Sequence, residues 1–451
     1  MLAAAAAFRK QGETQSMARA FFAGVDGAGN VGLWVTHGTA ASTHEITIDG
    51  APSGGLNPSD LTVFNHHEVL FTGLSGGLWV TNGTTAGTHE IALDGASSVG
   101  NLTVFNHDVL FSALDASNNL GLWITDGTTA GTHEITVNGA YSTGVHPYDL
   151  TVFKGEVLFG GIDAAGNQGL WVTNGTTAGT HEITVNGAGS GGVVPHDLMA
   201  FHGQALFSGY DAANNVGLWI TDGTTAGTHE ITVNGAYSTG VHPYDLTVFN
   251  GEVLFGGVDA AGGNGLFVYN GQSVSEISIN GAYFGGINLS DLTVFNNEVL
   301  FNGFDAAGKQ GLWVTDGTTA GTHEILVKGA ASGGLNPSDL TVFNHHEVLF
   351  DGVDAAGKQG LWVTDGTTTG THEITGISGA SSNGLAPADL TVLPDGNKPM
   401  GAVTAGSDGT AQLVQAMAGF GGGSGAGESL NTVSLGADTT QQPLLITPQH
   451  A

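Results

Sequence analysis

Gly311-Leu-Trp-Val-Thr-Asp-Gly-Thr-Thr-Ala-Gly-Thr-His-Glu-Ile325 is the stretch on which the rest of the chain is patterned. Versions of it recur with the aromatic residue at Trp34, Trp79, Trp123, Trp171, Trp219, Phe267, Trp313 and Trp362. The steps run from 44 residues (Trp79 to Trp123) to 49 (Trp313 to Trp362). A fixed period of this length is the mark of a repeat architecture, in which one supersecondary unit buries its apolar faces against its neighbours.

Each unit carries four apolar segments. In one copy they are Leu246–Phe249, Val253–Phe255, Gly265–Val268 and Glu276–Ile279. Val, Ile, Thr, Phe and Trp dominate, as strands prefer. Asn-Gly, Asp-Gly and Gly-Gly pairs bound them and supply the positive φ that hairpins need. Three short links and one longer connection, such as 234–245, describe a four-stranded meander followed by a crossover. The pattern predicts an all-β chain, an eight-bladed β-propeller of four-stranded antiparallel blades over 21–393. The repeat is entered at a second strand (Phe21–Val25) and left after a first strand (Asp389–Leu393). The last strand is therefore expected to complete the first blade and close the ring, which removes exposed sheet edges.

Residues 1–20 match no repeat. Their apolar run precedes Arg9 and Lys10, the reverse of a signal peptide. Residues 394–451 are rich in Gly and Ala. A short helix is expected at Ala411–Phe420, with Leu413, Val414, Met417 and Phe420 on one face. This weakly charged tail is similar in composition to the C-terminal export signals of bacterial type I secretion substrates.

Composition narrows the partners. Eight basic against forty acidic residues give a net charge of −32. That disfavours nucleic acid and anionic membranes, and no apolar run is long enough to span a bilayer. From 21 to 393 the only basic residues are Lys154, Lys309, Lys328 and Lys358. No guanidinium fork is available there for a bidentate grip on carboxylate or phosphate. With no cysteine, disulfides and thiolate chemistry are excluded.

The repeat resembles a bacterial β-propeller repeat family named for its Glu-Leu-Trp-x-x-Asp-Gly-Thr motif, on Leu122-Trp-Ile-Thr-Asp-Gly-Thr128 and its equivalents. The family's Glu is Gly in every copy here, for instance Gly121, and the Phe267 copy lacks Asp-Gly-Thr. The resemblance implies a propeller of secreted or surface-associated bacterial proteins. It transfers no catalytic residues.

Three features offer chemistry. Asp60, Asp149, Asp197, Asp245, Asp291, Asp339 and Asp389, with Asn101 in the remaining unit, each precede a first strand and are expected to ring one mouth of the channel. Such a ring of oxygen ligands suits Ca²⁺; the competing reading is an Asx-type cap on the crossover. His-Glu pairs recur at His44, His89, His133, His181, His229, His323 and His372. Adjacent strand residues face opposite ways, so these read as a solvated edge, not a metal grip. The Trp positions read as packing between blades, the alternative being a groove that stacks sugars.

The expected function is a non-enzymatic binding scaffold, a monomer at the bacterial cell exterior, multivalent for neutral glycans or protein partners. A polysaccharide hydrolase or lyase and a purely structural surface module are the alternatives. Enzymes use one unsymmetrical constellation, and none is evident in near-identical units.

Overall fold

The third strand and its outer loop form a closed local hydrogen-bond system in which nearly every residue of the motif has a task. In the copy at Trp123, Asp126 accepts bonds from the Thr128 backbone N–H (2.9 Å) and hydroxyl (2.7 Å). Thr128 Oγ1 in turn accepts from Gly131 N (3.1 Å). Thr132 Oγ1 reaches back to the Thr128 carbonyl (2.7 Å) and lies 2.6 Å from Thr125 Oγ1. Gly127 supplies φ of 87°, and a Cβ at Gly131 would overlap the Asp126 carboxylate. The loop fixes where the outer strand begins and so sets the register of the blade.

The computed structural model describes residues 18–48, 54–65, 67–93 and 95–393. They form eight four-stranded antiparallel sheets. We number the blades 1–8 in the order of their third-strand aromatics, from Trp34 to Trp362. Blade 4 is typical, with strands Tyr148–Phe153, Glu156–Ile162, Gln168–Thr173 and His181–Ile183. Each first strand touches the first strands of both neighbouring blades, so the inner strands run a full circle. The expected eight-bladed propeller is the observed fold.

Closure occurs as the sequence implies. The strand Ala388–Leu393 pairs antiparallel with Arg19–Val25 and supplies the innermost strand of blade 1. Arg19 opposes Leu393, so the strand starts two residues before the expected boundary at Phe21. Thr391 Oγ1 then donates to the Leu61 carbonyl of blade 2 at 2.7 Å. The same bond links other neighbours, as from Thr151 to Leu198 O (2.9 Å) and from Thr293 to Leu340 O (3.0 Å). Blade 5 carries Met199 instead of Thr and cannot make it. The tail helix expected at Ala411–Phe420 lies outside the described residues.

The core lies between blades. Leu122, Ile124 and Ile135 of blade 3, for instance, pack with Val157, Phe159 and Trp171 of blade 4. Trp34, Trp171, Trp219, Trp313 and Trp362 are at most 2% exposed. Each stacks on the Phe opposite it in the second strand, as Phe159 on Trp171 at 6.2 Å. Such pairs contribute about 0.5–1.5 kcal/mol beyond their buried area. These indoles are packing elements and face no groove, which sets aside a sugar-stacking role for them.

Seven of the crossovers depend on one glycine each, and the one into blade 3 has Ser98 at φ of 54° in its place. Gly334 has φ of 120°, and a Cβ there would overlap the Gln310 carbonyl of the preceding third strand. Neighbouring Gly333 has open space around its Cβ position. Gly334→Ala is expected to cost about 2 kcal/mol or more, and Gly333→Ala to stay within about 0.5 kcal/mol. Urea denaturation of the two variants checks this; equal stabilities would refute the crossover geometry.

Candidate functional site at the channel mouth

The crossovers and the turns between second and third strands lie on one face, around the mouth where the first strands begin. The seven ring aspartates and Asn101 all occupy it, each at a β-bulge with φ of 53° to 60°. Asp and Asn tolerate this left-handed conformation better than most residues, which accounts for their recurrence here.

The carboxylates bond to backbone of the next blade. Asp60 accepts from Leu102 N (2.9 Å), Asp149 from Leu198 N (2.9 Å), Asp245 from Leu292 N (3.0 Å) and Asp339 from Asp389 N (2.9 Å). They cap the neighbouring first strand across the blade boundary, as the Asx-type reading expects but over a longer range. Asn101 instead donates to Ser112 Oγ at 3.0 Å. Among the described residues, no three His, Cys, Asp or Glu side chains gather into a group that could hold a metal ion. The Ca²⁺ reading of Asp60, Asp149, Asp197, Asp245, Asp291, Asp339 and Asp389 therefore rests on their circular placement alone.

Burial raises the pKa of all seven, opposed by backbone bonds, and neighbouring carboxylates add to the rise at Asp149, Asp245, Asp291 and Asp389. Asp149 reaches about 6, desolvated and beside Asp197. Asp291 also reaches about 6, desolvated between Asp245 and Asp339.

The His-Glu pairs divide their roles. The histidines are exposed, as a solvated edge requires. The glutamates fold back over the third-strand glycine: a Cβ at Gly121 would overlap the Glu134 carboxylate, and Gly169 stands likewise to Glu182 and Gly311 to Glu324. This explains the Gly that replaces the motif's Glu. The outer strand brings a carboxylate to that spot, leaving no room for a side chain on the third strand.

One layer breaks the symmetry. The residue before each ring position faces a second-strand residue, and these pairs differ among blades: Ser59 with Thr72, Gly100 with Ser112, Tyr148 with Gly160, His196 with Ser208, Tyr244 with Gly256, Ser290 with Asn302, Ser338 with Asp351 and Ala388 with Ala23. Sequence reading missed this layer. Aligning the copies at the residue after the second-strand Phe would have exposed it. Tyr148 and Tyr244 lie over their glycines so closely that a Cβ would overlap each ring. Their hydroxyls are buried without partners, as are Asn302 Oδ1 and Asp351 Oδ1.

Two cavities open on this face. One of ≈590 Å³ adjoins Asp149, His196, Asp197, Ser208 and Tyr210. The other, of ≈430 Å³, lies on blade 6 between Asp259, Asn264, Glu276, Tyr283 and Phe284. Exposed aromatics stand on three crossovers: Tyr141 (41%), Tyr237 (41%) and the Tyr283-Phe284 pair (37% and 92%).

No family model matches the chain, and no curated protein does. Among solved structures, the β-propeller domain of the Trilobed protease from Pyrococcus furiosus is similar at 12% identity and a TM-score of 0.43, over 72% of this chain and 99% of that one. The computationally designed Ika8 protein is similar at 16% identity and a TM-score of 0.48, over 77% and 97%. A puromycin-hydrolyzing peptidase of Mycobacterium tuberculosis is similar at 12% identity and a TM-score of 0.48; 71% of this chain matches 53% of that one. These likenesses concern fold alone.

Asp351 allows a direct test of the electrostatics. It is 3% exposed; Oδ2 accepts from Gln359 Nε2 at 2.9 Å. Burial, with a further contribution from Asp339, lifts it to about 7 against the Gln359 bond. A folded-state pKa above the unfolded one gives stability that is complete in acid and lost as pH rises through the folded value. Asp351→Asn should therefore raise the melting temperature over wild type at pH 8 and do so far less at pH 5. An offset independent of pH would show that ionisation of Asp351 is not the cause.

Proposed function

We propose that the ring is a binding scaffold for neutral glycans, engaged on the crossover face. One observation carries this reading: the exposed aromatics recur at equivalent crossover positions, each against the glycine of a second-to-third-strand turn. A Cβ at Gly166 would stand 3.7 Å from the Tyr141 ring, one at Gly262 3.5 Å from Tyr237, and one at Gly308 3.4 Å from Tyr283. The bare glycine leaves a ledge beside the ring on which the apolar face of a sugar can rest.

Blade 6 is the principal site in this reading. It has the shortened outer loop, Gly263 where blades 4 and 5 have Asn167 and Asn215, and the 92%-exposed Phe284 beside its cavity. Asp259, Glu276 and Asn264 line that cavity and can accept or share bonds with sugar hydroxyls. The lining contains no basic side chain, which favours an uncharged ligand. The ledges at Tyr141 and Tyr237 add weaker contacts, and repetition turns weak sites into avidity. The setting carried forward is the bacterial cell exterior, as the repeat resemblance and the tail composition imply.

A neutral-oligosaccharide array followed by calorimetry tests this. Phe284→Ala is expected to weaken binding about tenfold, and Tyr141→Ala to lower avidity for polymers while sparing short oligosaccharides. A blank array, or cleavage of a polysaccharide abolished by replacing a single carboxylate, would overturn it.

A further inference from the structure

Blade 5 departs from blades 4 and 6 at four places that converge. Val194 stands where they have His146 and His242, and His196 where they have Tyr148 and Tyr244. Ser208 replaces Gly160 and Gly256, and Tyr210 replaces Ile162 and Val258. In blades 4 and 6 the tyrosine ring covers its glycine. In blade 5 the imidazole of His196 lies against the Tyr148 ring, 5.2 Å between centroids. The space a tyrosine would occupy belongs to the ≈590 Å³ cavity, and all four departing residues line it.

Ser208 is 7% exposed, and among the described residues its hydroxyl has no hydrogen-bond partner. It lines the cavity, as do Asp149 and Asp197. A carboxylate offers about four acceptor positions. Asp149 accepts from the backbone N–H of Leu198 and of Asp197, and Asp197 from that of Asp245, which leaves acceptor positions on each. Lys154, the nearest lysine in sequence, bonds to the Asp222 carbonyl at 3.1 Å and is absent from the lining. Val194 holds φ of 48°, a conformation that β-branched residues avoid. Asn, His, Ser or Ala stands at that position in the other blades. Strain of this kind is retained where a site is shaped by it.

We propose that this cavity binds a primary ammonium group carried on an alkyl chain. Three acceptors (Asp149, Asp197 and Ser208 Oγ) match the three N–H donors of an ammonium. Tyr210, Val194 and Pro243 provide an apolar wall for the chain, as lysine-like stems require. A volume of this size suits a small ligand or one side chain. The ligand relieves the repulsion that burial and Asp197 impose on Asp149. Binding strengthens as pH rises through about 6, where Asp149 ionises; Asp197, His196 and His242 face the same cavity. This site is separate from the glycan ledges, and either can fail without the other.

The test titrates the full chain with n-butylamine and with Nα-acetyl-lysine methylamide, using n-butanol as the uncharged control. Saturable binding of an amine, and none of butanol, is expected at pH 7.5. Tighter binding of the lysine derivative assigns a protein or peptide side chain; tighter binding of butylamine assigns a free amine. Asp149→Asn should weaken the amine about tenfold or more. The double variant His196→Tyr/Ser208→Gly copies the pairs of blades 4 and 6, so its folding has precedent in this chain. It should keep the wild-type melting temperature and lose amine binding. Absence of saturable amine binding by wild type, equal binding of butanol, or undiminished binding by the double variant would overturn the proposal.

Discussion

The fold depends on pairing two strands that lie at opposite ends of the repeat region. Arg19–Val25 finds its inner neighbour in Ala388–Leu393, and Thr391 bonds to Leu61 across 330 residues of sequence. Every other blade is local, built from strands within one period. The seam is the one contact whose loop-closure entropy is large, and it is made only after the rest of the circle brings its ends together. Without it, blade 1 would lack its innermost strand and present the bare edge of Arg19–Val25, a template for pairing with other chains. The seam uses the same parts as other inner junctions, a Thr hydroxyl on a Leu carbonyl, so closure needs no special chemistry.

Around that circle the charges have little relief. Partial burial raises the pKa of the seven carboxylates at one mouth, and neighbouring carboxylates add to the rise at Asp149, Asp245, Asp291 and Asp389, while the backbone N–H bonds they accept favour the ionised form. The balance is an inner rim on which burial outweighs hydrogen bonding. The exposed turn aspartates show the opposite balance. Asp115 and Asp211, bonded to their own loop backbone and held in water, lie below the ordinary range. The same residue type thus has opposite pH behaviour at two radii. The mouth gains stability on acidification, and the turns lose it.

Much of this was legible in the sequence. The period, the Asp-Gly and Asn-Gly turns and the unequal connections gave blade number, strand order and the closing strand, because each is a local signal repeated eight times. The recurrence of the aspartates was legible for the same reason, although each lies within its first strand and not before it. What could not be read was any contact set by register. Glu134 over Gly121 is a cross-strand relation between residues thirteen apart, visible only when the third and outer strands are paired. The seven ring carboxylates suggested a cation because composition shows their charge. It does not show that Asp60, Asp149, Asp245 and Asp339 each accept a backbone N–H of the next blade. The indoles were read as packing with a groove as the alternative; burial against the second-strand Phe removes that alternative.

Near-identity of blades constrains where specificity can reside. A feature repeated in nearly every blade is held by folding: an aromatic against Phe, Thr to the next carbonyl, Asp on the next backbone. Substituting one such residue disturbs a junction regardless of ligand. Selection for a ligand can act without that cost only where the repeat already tolerates difference. The structure shows two such places on one face. One is the layer of pairs behind the ring, from Ala388 with Ala23 to Ser338 with Asp351; the other is the crossover tips from Gly189 to Phe284. In the first, size is exchanged across a hairpin, a large residue against glycine or two small ones together, so variation leaves the core volume nearly constant. In the second, side chains project into water and carry no packing load. The cavity of blade 5 belongs to the first place and the aromatic ledges to the second. Both follow from one rule: a closed ring of copies can diversify only at positions its seams do not use.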